Sequence, residues 1–347
     1  MRATVLLMSC AVISLFHTAN VAADEPSAET LQALSSAASD LDRVHAVVVA
    51  HDGEIIHEHH QGGPGVASPT NIKSLSKTVL AAITGAAIEA GIIESAQQPM
   101  AALFGSHLPS DTDPQVGEIT VAHLLALQAG LERTSGGNYS AWVASPNWVN
   151  DALTRPFVDE PGGQMLYSTG TSHLLSAALT HASGETTHAL AQRLLGEPLN
   201  ITIPPWLRDP QGIYFGGNEM HLSPRALIEV GELYRNDGVV FDEVEDSDSE
   251  ARDSQRVLPE GWVAESWQPR GTSRWTGDGY GYGWFITQLA GEDVYYGRGF
   301  GGQALYVIPE REMTVVITSD PNPPSPGGQF QQELNRLVTD LLAENDE

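Results

Sequence analysis

The stretch Asn71-Ile72-Lys73-Ser74-Leu75-Ser76-Lys77-Thr78-Val79-Leu80 decides how the rest of this chain is interpreted. It enters a run of small and apolar residues, 79–93, which predicts a buried helix. Ser74 then lies on the first turn of that helix, with Lys77 one turn further along the same face. Because the first N–H groups of a helix have no internal partner, the Ser74 N–H is free to face a developing oxyanion. A lysine in a dry environment can lose its proton and help to activate a serine hydroxyl.

Lysine usage supports a special role for this stretch. The chain contains only two lysines, Lys73 and Lys77, and both flank Ser74. Arginine supplies the positive charge everywhere else, so Lys77 is not a casual surface residue. The spacing alone favours a solvated helix start that carries an incidental serine–lysine pair. Other motifs in the chain have to decide between the two interpretations.

The composition restricts the function classes. The net charge of −27 argues against binding to nucleic acid or to anionic membranes, both of which require a basic surface. Residues 1–23 read as a secretory signal peptide, which predicts a periplasmic or secreted protein. No segment has the length needed for a stable membrane insertion. Cys10 is the only cysteine, so the mature chain would have neither disulfides nor a thiolate metal site. The sequence carries no signal for an oligomeric state.

The predicted elements place strands at both ends of the chain and helices in its middle. Runs 44–50 and 54–60 are joined at an Asp-Gly pair and predict a hairpin. Strand-like runs at 283–287, 294–296, 304–308 and 314–318 precede a last helix. We therefore expect an α/β (α+β) fold with one antiparallel sheet made from both chain ends. Residues 24–347 would form one domain, with a sheet subdomain at about 24–73 and 275–347, a helical subdomain at about 74–274, and an acidic surface insertion at 241–253.

Three motifs occur in the order found in one hydrolase family. They are Ser74-Leu75-Ser76-Lys77, then Tyr167-Ser168-Thr169, then Gly297-Arg298-Gly299-Phe300-Gly301-Gly302-Gln303. Their order resembles the serine β-lactamase-related, class C-like hydrolases, which include D-Ala-D-Ala carboxypeptidases and esterases. Residues 209–212, 215–218 and 298–303 look most like the 6-aminohexanoate-dimer hydrolase branch. The resemblance implies a β-lactamase/transpeptidase-like fold.

The resemblance also implies the roles of individual residues. Ser74 would be the acylated nucleophile, with Lys77 and Tyr167 as the acid/base pair that moves its proton. The N–H groups of Ser74 and Phe300, the latter on an edge strand, would form the oxyanion hole. Gly299 would allow the substrate to approach the strand closely.

The sequence departs from the family pattern at two positions that contact substrate in relatives. Gly297-Arg298-Gly299 replaces Lys-Thr-Gly, so Arg298 either supplies the missing charge or points away. Thr169 stands where relatives have an asparagine. Asn218 is a candidate substrate contact, with loop structure as the alternative. The aromatic-rich stretch 134–150 either borders the pocket or is a long loop held by its aromatic side chains.

These observations predict an exported serine hydrolase that cleaves a small-molecule ester or amide through a Ser74 acyl-enzyme, without metal or cofactor. The alternatives are a true β-lactamase or D-Ala-D-Ala carboxypeptidase, and a catalytically silent binding protein of the cell envelope.

Overall fold

The computed structural model describes residues 24–110, 112–241, 254–323 and 328–343. The predicted signal peptide and residues 242–253 of the predicted acidic insertion lie outside this part of the chain. The strands, in chain order, are β1 (Val44–His51), β2 (Glu54–His60), β3 (Thr70–Asn71), β4 (His221–Leu222), β5 (Val239–Phe241), β6 (Ser254–Arg256), β7 (Gly271–Thr272), β8 (Gly279–Tyr280), β9 (Phe285–Leu289), β10 (Glu292–Gly299), β11 (Gln303–Ile308) and β12 (Met313–Ser319).

Eight of these strands form one antiparallel sheet, in the order β2-β1-β12-β11-β10-β9-β8-β7. β1 pairs with β12 in a register that sets Val47 opposite Ile317 and Val49 opposite Val315. The predicted union of the two chain ends in one sheet is therefore confirmed. β3 pairs with β4, and β5 with β6, as two small separate ladders.

Helices cover both faces of the sheet. In chain order they are α1 (Ala28–Ser39), α2 (Ser76–Glu89), α3 (Met100–Phe104), α4 (Val121–Leu125), α5 (Tyr139–Val143), α6 (Trp148–Leu153), α7 (Thr169–Ser183), α8 (Thr187–Ala191), α9 (Pro224–Arg235), α10 (Trp262–Ser266) and α11 (Gly328–Ala343). Alternate residues of the central strands β1, β11 and β12 enter different cores, as the two-residue period requires. Val47 and Val49 pack with α1 and α11, whereas Val48 packs with α2 and the helical middle.

The α2 helix is the centre of the larger core. Its small residues let neighbouring elements approach closely, and residues 76–87 are all buried. The sequence analysis expected Ser74 on the first turn of this helix. The structure places Ser74 in a 3-10 turn, Lys73–Leu75, that leads directly into α2. Within the described ranges, no helix has the length and apolar character needed to cross a membrane.

The stretch 134–150 is more ordered than a long loop. It contains a 3-10 turn at Gly136–Asn138, all of α5 and the start of α6. Trp142 and Trp148 are buried and pack against His173 and Phe215. The interpretation in which aromatic side chains hold this stretch in place is therefore the one that the geometry supports for both tryptophans.

Candidate active site

Ser74, Lys77 and Tyr167 come together where the helical middle meets the sheet. The Lys77 Nζ lies 3.3 Å from the Ser74 Oγ, as expected for side chains one helical turn apart. Tyr167 lies two residues before the start of α7, and its ring centroid lies 4.8 Å from the Lys77 Nζ. A hydroxyl, an amine and a phenol thus share one small site.

Two further groups hold the Lys77 amine, and sequence reasoning missed both roles. The Lys77 Nζ donates to the Gly217 carbonyl at 2.8 Å and to the Thr169 Oγ1 at 3.4 Å. Thr169 is in turn bound by Ser135, whose Oγ lies 3.0 Å from Oγ1 and accepts the Thr169 N–H at 2.9 Å. The position of Thr169 in its motif was the available signal. A backbone carbonyl such as that of Gly217 leaves no trace in the sequence.

The pKa values of the Lys77 amine and of the Tyr167 phenol are both lowered. Burial lowers the pKa of the Lys77 amine, an effect that the neighbouring Tyr167 partly offsets. Enclosure of the Tyr167 phenol alone would raise its pKa, but the charge of Lys77, the Ser74 hydroxyl and the charge of Arg298 together lower it. Both groups therefore release their protons at lower pH than the free side chains, which suits them to accept the Ser74 proton.

β10 closes the other side of the site. The sequence analysis placed Phe300 on an edge strand, whereas β10 lies inside the sheet between β9 and β11. The ladder between β10 and β9 ends at Tyr296, which lies opposite Phe285. The last residues of β10 therefore have no strand pairing with them on the β9 side. The Gly299 carbonyl accepts from Gly302 on the β11 side. Since backbone groups alternate along a strand, the next N–H, that of Phe300, faces the open side.

Gly297 and Gly299 allow this strand to lie directly against the Ser74 turn. A Cβ on Gly297 would come within 2.4 Å of Leu75, and a Cβ on Gly299 within 2.1 Å of the Ile72 carbonyl. The close approach at Gly299 is therefore an approach of the strand to the serine turn. Its predicted closeness to the substrate stays a prediction.

The remaining predicted contacts lie as follows. Arg298 alternates with the two glycines, and its guanidinium carbon lies 4.8 Å from the Phe285 ring centroid, on the face away from the serine turn. The guanidinium thus points away from the serine turn, while its charge still lies close enough to Tyr167 to lower the pKa of the phenol. The Asn218 side chain donates to the Tyr139 hydroxyl at 3.0 Å and accepts the Glu219 N–H at 3.1 Å. It borders the site and also orders its own loop.

An ion pair beside the nucleophile was not anticipated. Lys73 and Glu219 both have positive φ, 51° and 65°, which is unfavourable for residues with side chains. The Lys73 Nζ lies 3.0 Å from one Glu219 oxygen, and the Asn71 amide donates to the other at 2.6 Å. This pairing ties the Ser74 turn to the segment that carries Gly217.

A fully buried pair supports that segment from behind. The His173 Nε2 lies 3.0 Å from the Asp209 Oδ2, and the Gly216 N–H donates to the His173 Nδ1 at 3.4 Å. The tautomer with its proton on Nε2 satisfies both contacts. The other Asp209 oxygen accepts two N–H groups of its own loop. The pair therefore fixes Gly216, and with it the Gly217 carbonyl that holds Lys77.

A serine that is hydrogen-bonded to a buried amine, beside a phenol and a glycine-lined strand, defines a β-lactamase-like serine hydrolase. The chain belongs to the Beta-lactamase family, whose sequence profile matches residues 39–340. The predicted fold and family are thus confirmed. Among curated protein sequences, none matches this chain.

Solved structures agree on the fold at low sequence identity. A 6-aminohexanoate-dimer hydrolase homologue from Bacillus anthracis is 19% identical with a TM-score of 0.66, covering 88% of this chain and 79% of that chain. The octameric penicillin-binding protein homologue from Pyrococcus abyssi is 17% identical with a TM-score of 0.67, covering 90% and 77%. EstCE1, a hydrolase with promiscuous acyltransferase activity, is 17% identical with a TM-score of 0.69, covering 90% and 98%.

Proposed function

We propose that this protein is an exported serine hydrolase that cleaves a small-molecule ester or amide through an acyl-enzyme on Ser74. The observation that carries the proposal is the contact of 3.3 Å between the Ser74 Oγ and the amine of Lys77, which is buried and has a lowered pKa. A surface lysine would keep its proton at neutral pH and could not accept another. Burial lowers the pKa of Lys77 and so makes its neutral form, which can accept a proton, more available.

In the proposed reaction, the Ser74 Oγ attacks the substrate carbonyl carbon while Lys77 or Tyr167 takes the hydroxyl proton. The N–H groups of Ser74 and Phe300 stabilise the oxyanion that forms. As the bond to the leaving group breaks, Tyr167 returns the proton to the departing oxygen or nitrogen. Water then enters, loses a proton to the same pair and attacks the acyl carbon. The acid is released and the Ser74 hydroxyl is restored.

Two features favour a simple ester or amide over a β-lactam or a D-Ala-D-Ala peptide. The lysine of the Lys-Thr-Gly motif is absent, and neither lysine of the chain can replace it, because Lys77 serves Ser74 and Lys73 is paired with Glu219. Arg298 lies over Phe285 and away from the serine turn. The structural relative described as a hydrolase with promiscuous acyltransferase activity is compatible with this choice.

Export is the part of the proposal that rests on the N-terminal sequence alone. Removal of residues 1–23 would leave a chain that begins at Asp24. Fractionation of expressing bacteria, followed by the intact mass of the recovered protein, tests this directly. A cytoplasmic protein that retains its first residues would contradict it.

The activity is tested with p-nitrophenyl butyrate and, separately, a chromogenic cephalosporin. We expect ester hydrolysis that falls on the order of 10⁴-fold or more in Ser74→Ala, because the nucleophile is lost. Ser36→Ala is the matched control, since its hydroxyl is exposed and bonds only its own helix at 2.9 Å. Intact mass should show a butyryl adduct on the wild type and none on Ser74→Ala.

Two other outcomes of these assays would support the two alternative functions. Fast cephalosporin turnover would identify the protein as a β-lactamase. Arg298 would then have to rearrange and take the role of the absent Lys-Thr-Gly lysine. Equal inertness of wild type and Ser74→Ala, with no adduct, would favour a silent binding protein of the cell envelope.

A further inference from the structure

A small surface pocket includes Tyr167 in its lining. Its lining consists of Arg133, Met165, Leu166, Tyr167, Thr272, Ser273, Arg274 and Trp275. In the proposed reaction Tyr167 gives its proton to the leaving group. The pocket therefore lies where the leaving group of a substrate would be held.

Two arginines in this lining have no acidic partner among the residues that the structure describes. Most arginines in the described ranges form an ion pair, but neither Arg133 nor Arg274 lies within 4 Å of a described carboxylate. The chain has 44 acidic residues against 17 basic ones, so partners were abundant. Two guanidinium groups without a described ion-pair partner, in the pocket lining that also includes Tyr167, make a local positive site on a strongly negative protein.

An exposed aromatic ring completes the pocket. Trp275 is 55% exposed, which is unusual for so large an apolar side chain. Its ring meets the Tyr167 ring edge-on at 5.9 Å between centroids, and the Arg133 guanidinium carbon lies 5.9 Å from the Trp275 centroid. The pocket thus offers a flat apolar surface next to Tyr167, with positive charge beside it.

We propose that this pocket binds a leaving group that carries a carboxylate on an apolar or aromatic body. Arg133 and Arg274 pair with the carboxylate, and Trp275 packs against the body. Guanidinium groups suit this task because their fixed donors match the two oxygens of a carboxylate. The inference rests on the proposed function, since it assigns a substrate class to the same site.

The first test compares two esters that differ only in leaving-group charge, 3-(butyryloxy)benzoate and its methyl ester. We expect the wild type to prefer the anionic ester, measured as the ratio of the two kcat/KM values. In Arg133→Gln/Arg274→Gln this ratio should fall at least about 10-fold, as expected for the loss of charge-assisted hydrogen bonds. Arg208→Gln is the matched control: Arg208 also lacks a described ion-pair partner, but it lies over the Tyr214 ring, 4.9 Å from its centroid. Its ratio should match that of the wild type.

The second test measures binding without turnover. Calorimetry on Ser74→Ala with 3-hydroxybenzoate, and with methyl 3-hydroxybenzoate, should show tighter binding of the carboxylate. Adding the two arginine substitutions should remove that difference. Ser74-dependent hydrolysis of the neutral ester, without preference for the anionic ester and without charge-dependent binding, overturns this inference and leaves the proposed function standing. Absence of hydrolysis of both esters, with binding still selective for the carboxylate, overturns the proposed function and supports the anion pocket.

Discussion

Gly297 is the position where β10 presses most closely on the helix that follows Ser74. In Gly297→Ala, the added methyl carbon would lie 2.3 Å from the Thr78 Oγ1 and 2.4 Å from the Leu75 Cδ1. Neither neighbour can move aside easily. Both side chains are buried, and the Thr78 hydroxyl is held by the Gly283 carbonyl at 2.7 Å. The strand and the helix must therefore separate by roughly 1 Å to restore ordinary carbon contacts.

This separation acts on the two proposed oxyanion donors directly, because Ser74 lies in the turn that leads into α2 and Phe300 directly follows β10. A misplacement of about 1 Å costs on the order of 10²-fold in rate, and loss of one oxyanion donor costs about 10²–10³-fold. We therefore expect kcat for p-nitrophenyl butyrate to fall roughly 100-fold. Overpacking of the core should lower the free energy of unfolding by about 1–3 kcal/mol.

Steady-state kinetics and urea unfolding of the same preparations measure both effects. Gly117→Ala is the matched control, since a Cβ there meets nothing within 4 Å. It should retain wild-type kcat. A Gly297→Ala protein with wild-type kcat and stability would refute the reasoning, because the strand would then not be held against the serine turn as described.

Two further predictions concern the groups around the Lys77 amine. The pKa of Lys77 is lowered in the folded protein, so between that value and the ordinary 10.5 the unfolded chain binds one proton more, and the stability contributed by this residue rises with pH. The free energy of unfolding of Lys77→Met, relative to wild type, should therefore fall as pH rises through this window, by about 1.4 kcal/mol per pH unit for each proton by which the two proteins differ. Urea unfolding at several pH values measures this difference, and a difference that stays constant across the window would contradict the prediction. Asp209→Asn turns the group facing the His173 Nε2 into a donor, so the ring must change tautomer and lose its bond from Gly216. We expect a loss of about 1–3 kcal/mol in the free energy of unfolding and a reduced kcat, and unchanged values of both would contradict the supporting role of the pair.

Much of the sheet could be predicted because its strands carry strong local signals. The runs 44–50, 304–308 and 314–318 are dense in β-branched and apolar residues, and all lie in the sheet. The strands β7 and β8 were missed. Each has only two residues and depends on pairing with its neighbours, which no local pattern reveals. The subdomain boundaries and the export signal stay predictions.

The site was predictable where side chains carry the chemistry. Ser74, Lys77 and Tyr167 stand in motifs of fixed spacing or order, and the structure brings them together. The hydrogen bond that holds the Lys77 amine was not predictable, because its acceptor is the backbone carbonyl of Gly217, which lies in a distant segment of the sequence. The same holds for the Lys73–Glu219 ion pair, whose members are unremarkable in the sequence and meet only through the fold.

The pairing of β1 with β12 also determines when the protein can become active during folding. β1 forms near the start of the chain, yet the partner that covers one of its edges lies near the other end, with most of the chain between them. Closing so long a loop is slow, and until it closes an apolar strand edge stays open to other chains. Phe300, too, is reached only after nearly all of the chain has been made. Fragments that stop before β12 would therefore contain Ser74 and Lys77 but leave an edge of β1 unpaired. We expect such fragments to aggregate and to be inactive.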